Sequence, residues 1–355
     1  MNSAPDLPQR TDSPKLSGVV AGGTWITDHV KLIDTWPAQD ALASIVAQTS
    51  SNGGAPYNVL KDLAKLGATF PLVGVGVIGD DEDGRTILAD CEAHHIDTAN
   101  LRIMPGAATS FTDVMTVQST GRRTFFHQRG ANALLAPEHF DFSANTAKIF
   151  HLGYLLLLDG LDALDSNDRP LACQVLAAAR KAGLKTSIDV VSESSNRFQR
   201  IVLPALAQVN YCFVNDYEAE RLTGIPLRSN GVLDRSAMKG AAQKLVAAGV
   251  GDWVFIHSTE AALAWAPTGE EFWQASVDIP PDEIKGAAGA GDAFAAGVLL
   301  GLHEGWSITQ CLQLGVCAGA ASLLHVTCSE GVGRAVECLV LGARCGYRHL
   351  SSLKR

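Results

Sequence analysis

Gly289, Ala290, Gly291 and Asp292 stand directly before an almost wholly apolar run, residues 293–300. Glycine and alanine leave the backbone N–H groups of a helix start uncovered, and that end of a helix carries about half a positive charge, so the segment can hold an anion without a lysine. Asp292 is read at the N-cap position of this helix. A carboxylate there either caps an orphan amide, which is worth about 1 kcal/mol, or takes a proton from a hydroxyl while neighbouring amides hold negative charge. A base beside an anion cradle is the minimal equipment for phosphoryl transfer, which rests on positioning and charge stabilisation.

Such a pair must be carried by a scaffold, and the apolar runs describe one. Residues 17–21 read as a strand ending in Gly22 and Gly23, and residues 53–67 (GGAPYNVLKDLAKLG) place Val59, Leu60, Leu63, Ala64 and Leu66 at helical spacing before Gly67. Residues 70–78 form an apolar strand, GDDEDG (79–84) a polar turn, and Ile87, Leu88 and Cys91 a second helix face. Residues 109–127 read as an antiparallel hairpin, in which Phe125 and Phe126 are taken as packing residues. Four more apolar runs, 149–151, 186–189, 211–215 and 253–257, end in polar residues, with helical stretches at 171–182 and 238–248. This alternation predicts a doubly wound parallel sheet with ligands at the carboxyl ends of the strands.

Composition agrees with a compact α/β chain: 355 residues, 47% hydrophobic and 18% charged, with 34 glycines. The net charge of -9 is scattered, which argues against a nucleic-acid or anionic-membrane partner. No run reaches the roughly 18 to 20 apolar residues of a membrane span, and residues 1–15 lack the apolar core of a secretory signal, so a cytoplasmic protein is expected. The eight cysteines form no CxxC pair and read as buried thiols of a reducing compartment. GVGVIG (74–79) falls at a strand end before an acidic turn, so it does not read as a dinucleotide site.

The segment GAGDAFAAG (289–297) resembles the C-terminal signature of the ribokinase-like (PfkB) carbohydrate kinases. Four further segments are similar to that family in order: Asp28 followed by Gly53, Gly54 and Asn58; the turn from Gly79 to Gly84; Arg129 to Asn132; and Asn215 with Glu218 as an NxxE motif. The resemblance spans residues 17–335 and implies a Rossmann-like αβα sandwich with a small β-sheet lid. It implies a flexible tail over 1–16, a single kinase domain over 17–350, and a lid from segments near 22–52 and 105–130. The implied activity is ATP-dependent phosphorylation of a hydroxyl on a sugar such as ribose, fructose or a ketodeoxy sugar acid, with Asp292 as base and Gly289, Ala290 and Gly291 as the anion hole.

On the same resemblance, Asp28, Gly53, Gly54, Asn58 and Arg129 bind the acceptor, and a carboxylate such as Asp28 can accept two bonds from a vicinal diol. Asn215, Glu218, His257, Thr259 and Ala262 fall on the nucleotide side, Glu218 holding Mg²⁺ through water. Two departures stand out. Lys285, Gly286, Ala287 and Ala288 replace the family's Asp-Thr pair, which leaves K⁺ use open, and Thr259 to Ala262 replace a glycine-containing segment beside the phosphates. A nucleoside acceptor and a non-catalytic sugar-binding relative remain as alternatives, and an exposed lid hairpin is compatible with a homodimer.

Overall fold

Five- to eight-residue apolar runs whose side chains alternate between two buried faces build the centre of the main sheet of this computed structural model, which describes residues 16–354. The tail expected at 1–16 therefore lies, but for Leu16, outside the described residues. In chain order the strands are β1 (Val19–Gly23), β2 (Ile26–Ile33), β3 (Ile45–Gly53), β4 (Leu72–Gly79), β5 (Asp97–Met104), β6 (Ser110–Val117), β7 (Arg123–Gln128), β8 (Ile149–Leu155), β9 (Lys185–Val190), β10 (Tyr211–Asn215), β11 (Arg228–Ser229), β12 (Val232–Leu233), β13 (Trp253–His257), β14 (Ala261–Trp265) and β15 (Glu271–Ala275). The helices are α1 (Ala55–Leu66), α2 (Glu82–Ala93), α3 (Asp159–Asp162), α4 (Ala172–Lys181), α5 (Phe198–Ala205), α6 (Asp216–Thr223), α7 (Arg235–Ala247), α8 (Ala290–Glu304), α9 (Ile308–Ser322) and α10 (Ala335–Cys345).

The nine-stranded sheet has the order β15-β14-β13-β10-β9-β8-β1-β4-β5. Successive residues of β10 show how it divides the core: Cys212 and Val214 join the cluster formed with α4 to α7, whereas Tyr211 and Phe213 join the one formed with α1, α8, α9 and α10. Phe213 stacks on Phe255 with ring centroids 4.8 Å apart and meets Phe294 of α8 edge-on, which ties that helix to the sheet. The expected parallel sheet is corrected at one edge, where β14 runs antiparallel to β13 and β15 antiparallel to β14. A turn as short as Ser258–Thr259–Glu260 can only reverse the chain, whereas a parallel return needs a long crossover.

A separate four-stranded sheet, β3-β2-β6-β7, stands beside the main one, with β2 and β6 parallel. Phe125 and Phe126, read as packing residues of the hairpin, are 58% and 51% exposed, and Phe126 stacks on Trp36. The joint between the sheets is the two-residue link Thr24-Trp25. Trp25 is fully buried and donates from its indole N–H to Val75 O at 2.9 Å, and Asn132 accepts from Trp25 N–H (3.3 Å) and donates to Trp25 O (3.0 Å). Asn132, which closes the 129–132 motif, thus fixes where β2 leaves the main sheet, three residues before Asp28. No helix among the described residues is long and apolar enough to cross a membrane.

Candidate active site

Because β8, β9, β10 and β13 are parallel, their carboxyl ends lie along one edge, where Tyr154, Asp189, Asn215 and His257 emerge. Helix α8 starts there. Its N-cap is Gly289, not Asp292: φ at Gly289 is +78°, a left-handed value that glycine adopts without strain, and a Cβ there would lie 2.6 Å from Cys328 Cβ. Asp292 is consequently the third helical residue, turned inward and only 3% exposed. The first intrahelical bond runs from Ala293 N–H to Gly289 O, so the amides of Ala290, Gly291 and Asp292 precede the bonded ladder.

The Asp292 carboxylate is held unequally. Oδ2 accepts from Asn58 Nδ2 at 2.7 Å and from Tyr154 OH at 2.6 Å, whereas Oδ1 is buried and has no partner. Burial pushes this acid up to about 6, against hydrogen bonds from Tyr154, Asn58 and Asp189. Asp189 itself is displaced well above the ordinary carboxylate range by burial and then by the charges of Asp292 and Glu218. Burial disfavours charge on both acids at once, and Asp292, the less strongly raised of the two, is the one that ionises first. Asn58 comes from α1, whose N-cap is Gly54; φ there is +95°, and a Cβ would sit 2.0 Å from Thr24 O. Only glycine lets the α1 start close against the link that carries β2.

Asp28 lies on the small sheet's inner side near Cys328 and within range of the Asp292 charge, and burial raises it to about 6. Gly53 borders it, since a Cβ at Gly53 would be 2.6 Å from Asp28 Oδ2. On the other side, Asn215 and Glu218 form a capping box at the start of α6: Asn215 Oδ1 accepts from Glu218 N–H (2.8 Å), and Glu218 Oε2 accepts from Asn215 N–H (2.9 Å). Glu218 Oε1 accepts from Ser192 OH at 2.6 Å, and burial followed by these opposing bonds leaves its carboxyl at about 7. His257 lies against the α8 start, its ring about van der Waals distance from the space beside Gly291, and burial pushes it down to about 4.

Three sequence assignments do not join this group. Ala262 is fully buried within β14, opposite His257, and belongs to the apolar core. Thr259 sits in the exposed turn, where its hydroxyl donates to Glu260, which pairs with Arg228. Arg129 pairs with Asp159 at 3.2 Å. Four residues that the sequence reading passed over do join it: Tyr154, Asp189, Arg123 and the fully buried Asp62, one turn beyond Asn58 on α1. The signal for Tyr154 and Asp189 was their place at the carboxyl ends of apolar strands.

The main sheet with its helical layers and side sheet is a ribokinase-like fold. The ribokinase of Arabidopsis thaliana complexed with ribose and ATP superposes with a TM-score of 0.72 at 21% identity, covering 92% of this chain and 99% of that one. A ribokinase from Thermotoga maritima gives 0.73 at 17%, again covering 92% and 99%. The family model for pfkB family carbohydrate kinases matches residues 26–333, and the chain belongs to that family. It is a sugar kinase, a phosphotransferase with an alcohol group as acceptor. Among curated relatives it is 24% identical over 291 residues to a 5-dehydro-2-deoxygluconokinase of Shouchella clausii, covering 79% of this chain and 82% of that protein. It is 26% identical over 305 residues to an ATP-dependent ribose-1-phosphate kinase of Halopiger xanaduensis, covering 85% and 90%.

Proposed function

We propose that the chain transfers the γ-phosphoryl group of ATP to a hydroxyl of a sugar of the ribose, fructose or ketodeoxy sugar acid type, with Asp292 as general base. The observation that carries this reading is the division of labour within one carboxylate. Oδ2 is pinned by Asn58 and Tyr154, which leaves the partnerless Oδ1 free to take the hydroxyl proton. As the acceptor oxygen bonds to phosphorus and the bond to ADP breaks, the amides of Ala290, Gly291 and Asp292 face the charge in transit. Asp28, Gly53, Gly54 and Asn58 orient the acceptor from the side-sheet face, and the side sheet acts as a lid that keeps water out.

After burial, the Asp292 charge raises the proton affinity of both Asp189 and Glu218, an arrangement that a divalent cation would relieve. Both Glu218 oxygens already accept hydrogen bonds, so Glu218 would hold Mg²⁺ through water, with Asn215 beside it. Bound there, Mg²⁺ would neutralise phosphate charge.

An ADP-release assay over a panel of sugars and nucleosides tests the acceptor class: sugar-dependent release supports the reading, and release driven only by nucleosides overturns the sugar assignment. The base must be ionised, so kcat rises with pH through a limb near the Asp292 value of about 6. Tyr154→Phe removes a donor that holds this acid down, so its acid limb moves to higher pH. A pH–rate profile that is superimposable on wild type would contradict the assignment.

A further inference from the structure

Arg123, the first residue of β7, reaches out of the small sheet to the segment that leads into α8. Its Nη2 lies 3.5 Å from Lys285 O. A Cβ built on Gly286 would lie 2.7 Å from that Nη2, 2.9 Å from His325 O and 3.3 Å from Val326 O. The guanidinium therefore lies against the main chain at Lys285 and Gly286, in space that a side chain at residue 286 would contest. Lys285 N–H and Gly286 N–H both donate to Leu323 O, at 2.8 and 3.3 Å, which fixes the segment to the end of α9. Three residues further on stands Gly289, the cap of the helix that carries Asp292.

Two neighbouring cations are committed elsewhere: Lys31 pairs with Asp113, and Arg129, just past β7, pairs with Asp159. Arg123 has no carboxylate in an ion pair among the described residues, and its charge is felt instead by Asp28 across the pocket. A planar guanidinium is suited to this task, because its fixed fork of donors can meet several carbonyl oxygens at once.

We infer that Arg123 is a positioning residue that latches the lid sheet onto the entry segment of α8, so that the acceptor-binding face and the phosphoryl-holding amides move as one unit. This inference rests on the phosphoryl-transfer reading above. Arg123 itself touches no reacting atom. Its effect is to keep Asp28 at a fixed distance from the α8 amides and to keep water out while the sugar is bound.

The test compares Arg123→Ala, Arg123→Lys and Gly286→Ala in sugar phosphate yield per ADP released, in KM and in kcat. Arg123→Ala should raise the sugar KM by roughly tenfold, the scale of one lost charge-assisted hydrogen bond, and should release ADP in excess of sugar phosphate. Arg123→Lys should recover part of both effects. Gly286 is outside the left-handed backbone region, but an alanine methyl would crowd His325 O (2.9 Å) as well as the guanidinium (2.7 Å), so its effect is read only beside that of Arg123→Ala. Gly286→Ala should reproduce the Arg123→Ala behaviour, and the double variant should be no worse than the single ones. Wild-type KM and one-to-one coupling in Arg123→Ala, or effects that multiply in the double variant, would overturn the latch. Hydrogen exchange separates this from the functional reading. Both single variants should exchange the β2 and β6 amides faster than wild type, and unchanged protection would refute the latch whatever the catalytic result.

Discussion

Asp292→Asn should lower kcat by about 10²- to 10⁴-fold, the usual contribution of a general base, with sugar and ATP binding little changed. The amide has nearly the shape of the carboxylate, so its oxygen can still accept from Asn58 and Tyr154. What it cannot do is take a proton at the position of Oδ1. The same substitution carries an internal control for folding. Burial raises the Asp292 carboxyl to about 6, above its ordinary value, so the folded state holds a proton that the unfolded chain releases earlier. Wild-type stability therefore declines as pH rises from the ordinary carboxylate range through about 6, where the buried acid must become charged. Asparagine has no such transition. The variant should melt above wild type at pH 8, and the gap should close as pH falls toward 4; thermal melts at both pH values check this.

Gly54→Ala should cost more stability than any substitution at a surface glycine, on the order of 3 kcal/mol or more, because two penalties coincide. The backbone is left-handed at φ +95°, and the new Cβ would lie 2.0 Å from Thr24 O, a contact no rotamer can relieve. Gly67→Ala separates the two penalties. Its φ is +96° with nothing within 4 Å of the built Cβ, so it should lose only the backbone term of about 1 kcal/mol. Denaturant unfolding of both variants measures the difference. The consequence for the site is direct, since Gly54 opens the helix that carries Asn58 and abuts the link that carries β2 and Asp28.

Much of this architecture was legible in the sequence because it rests on local signals. The glycine turn before an apolar run marked α8, the pattern from Gly53 to Gly67 marked α1, and the hairpin at 109–127 became β6 and β7. Periodicity did not reveal β14 and β15, since a short buried run followed by a three-residue turn reads the same for either strand direction. Asp292 was read one turn too early in its helix because the cap is set by backbone φ at Gly289, which a residue name only hints at. The pairing of Tyr154 with Asp292 was out of reach for a different reason: the two lie 138 residues apart, and a place at the end of an apolar strand does not name the partner. The places of Arg129 and Arg123 are likewise tertiary: Asp159 claims one guanidinium, and the missing side chain at Gly286 makes room for the other.

The most direct test of Asp292 as proton acceptor is the rate of sugar phosphate formation in a single turnover, followed from pH 5 to pH 8 in wild type and in Asp292→Asn. The wild-type rate should climb through about pH 6 and level off, while the variant binds both ligands and reacts slowly at every pH. A variant as fast as wild type, or one that keeps the same pH limb, would show that another group takes the proton.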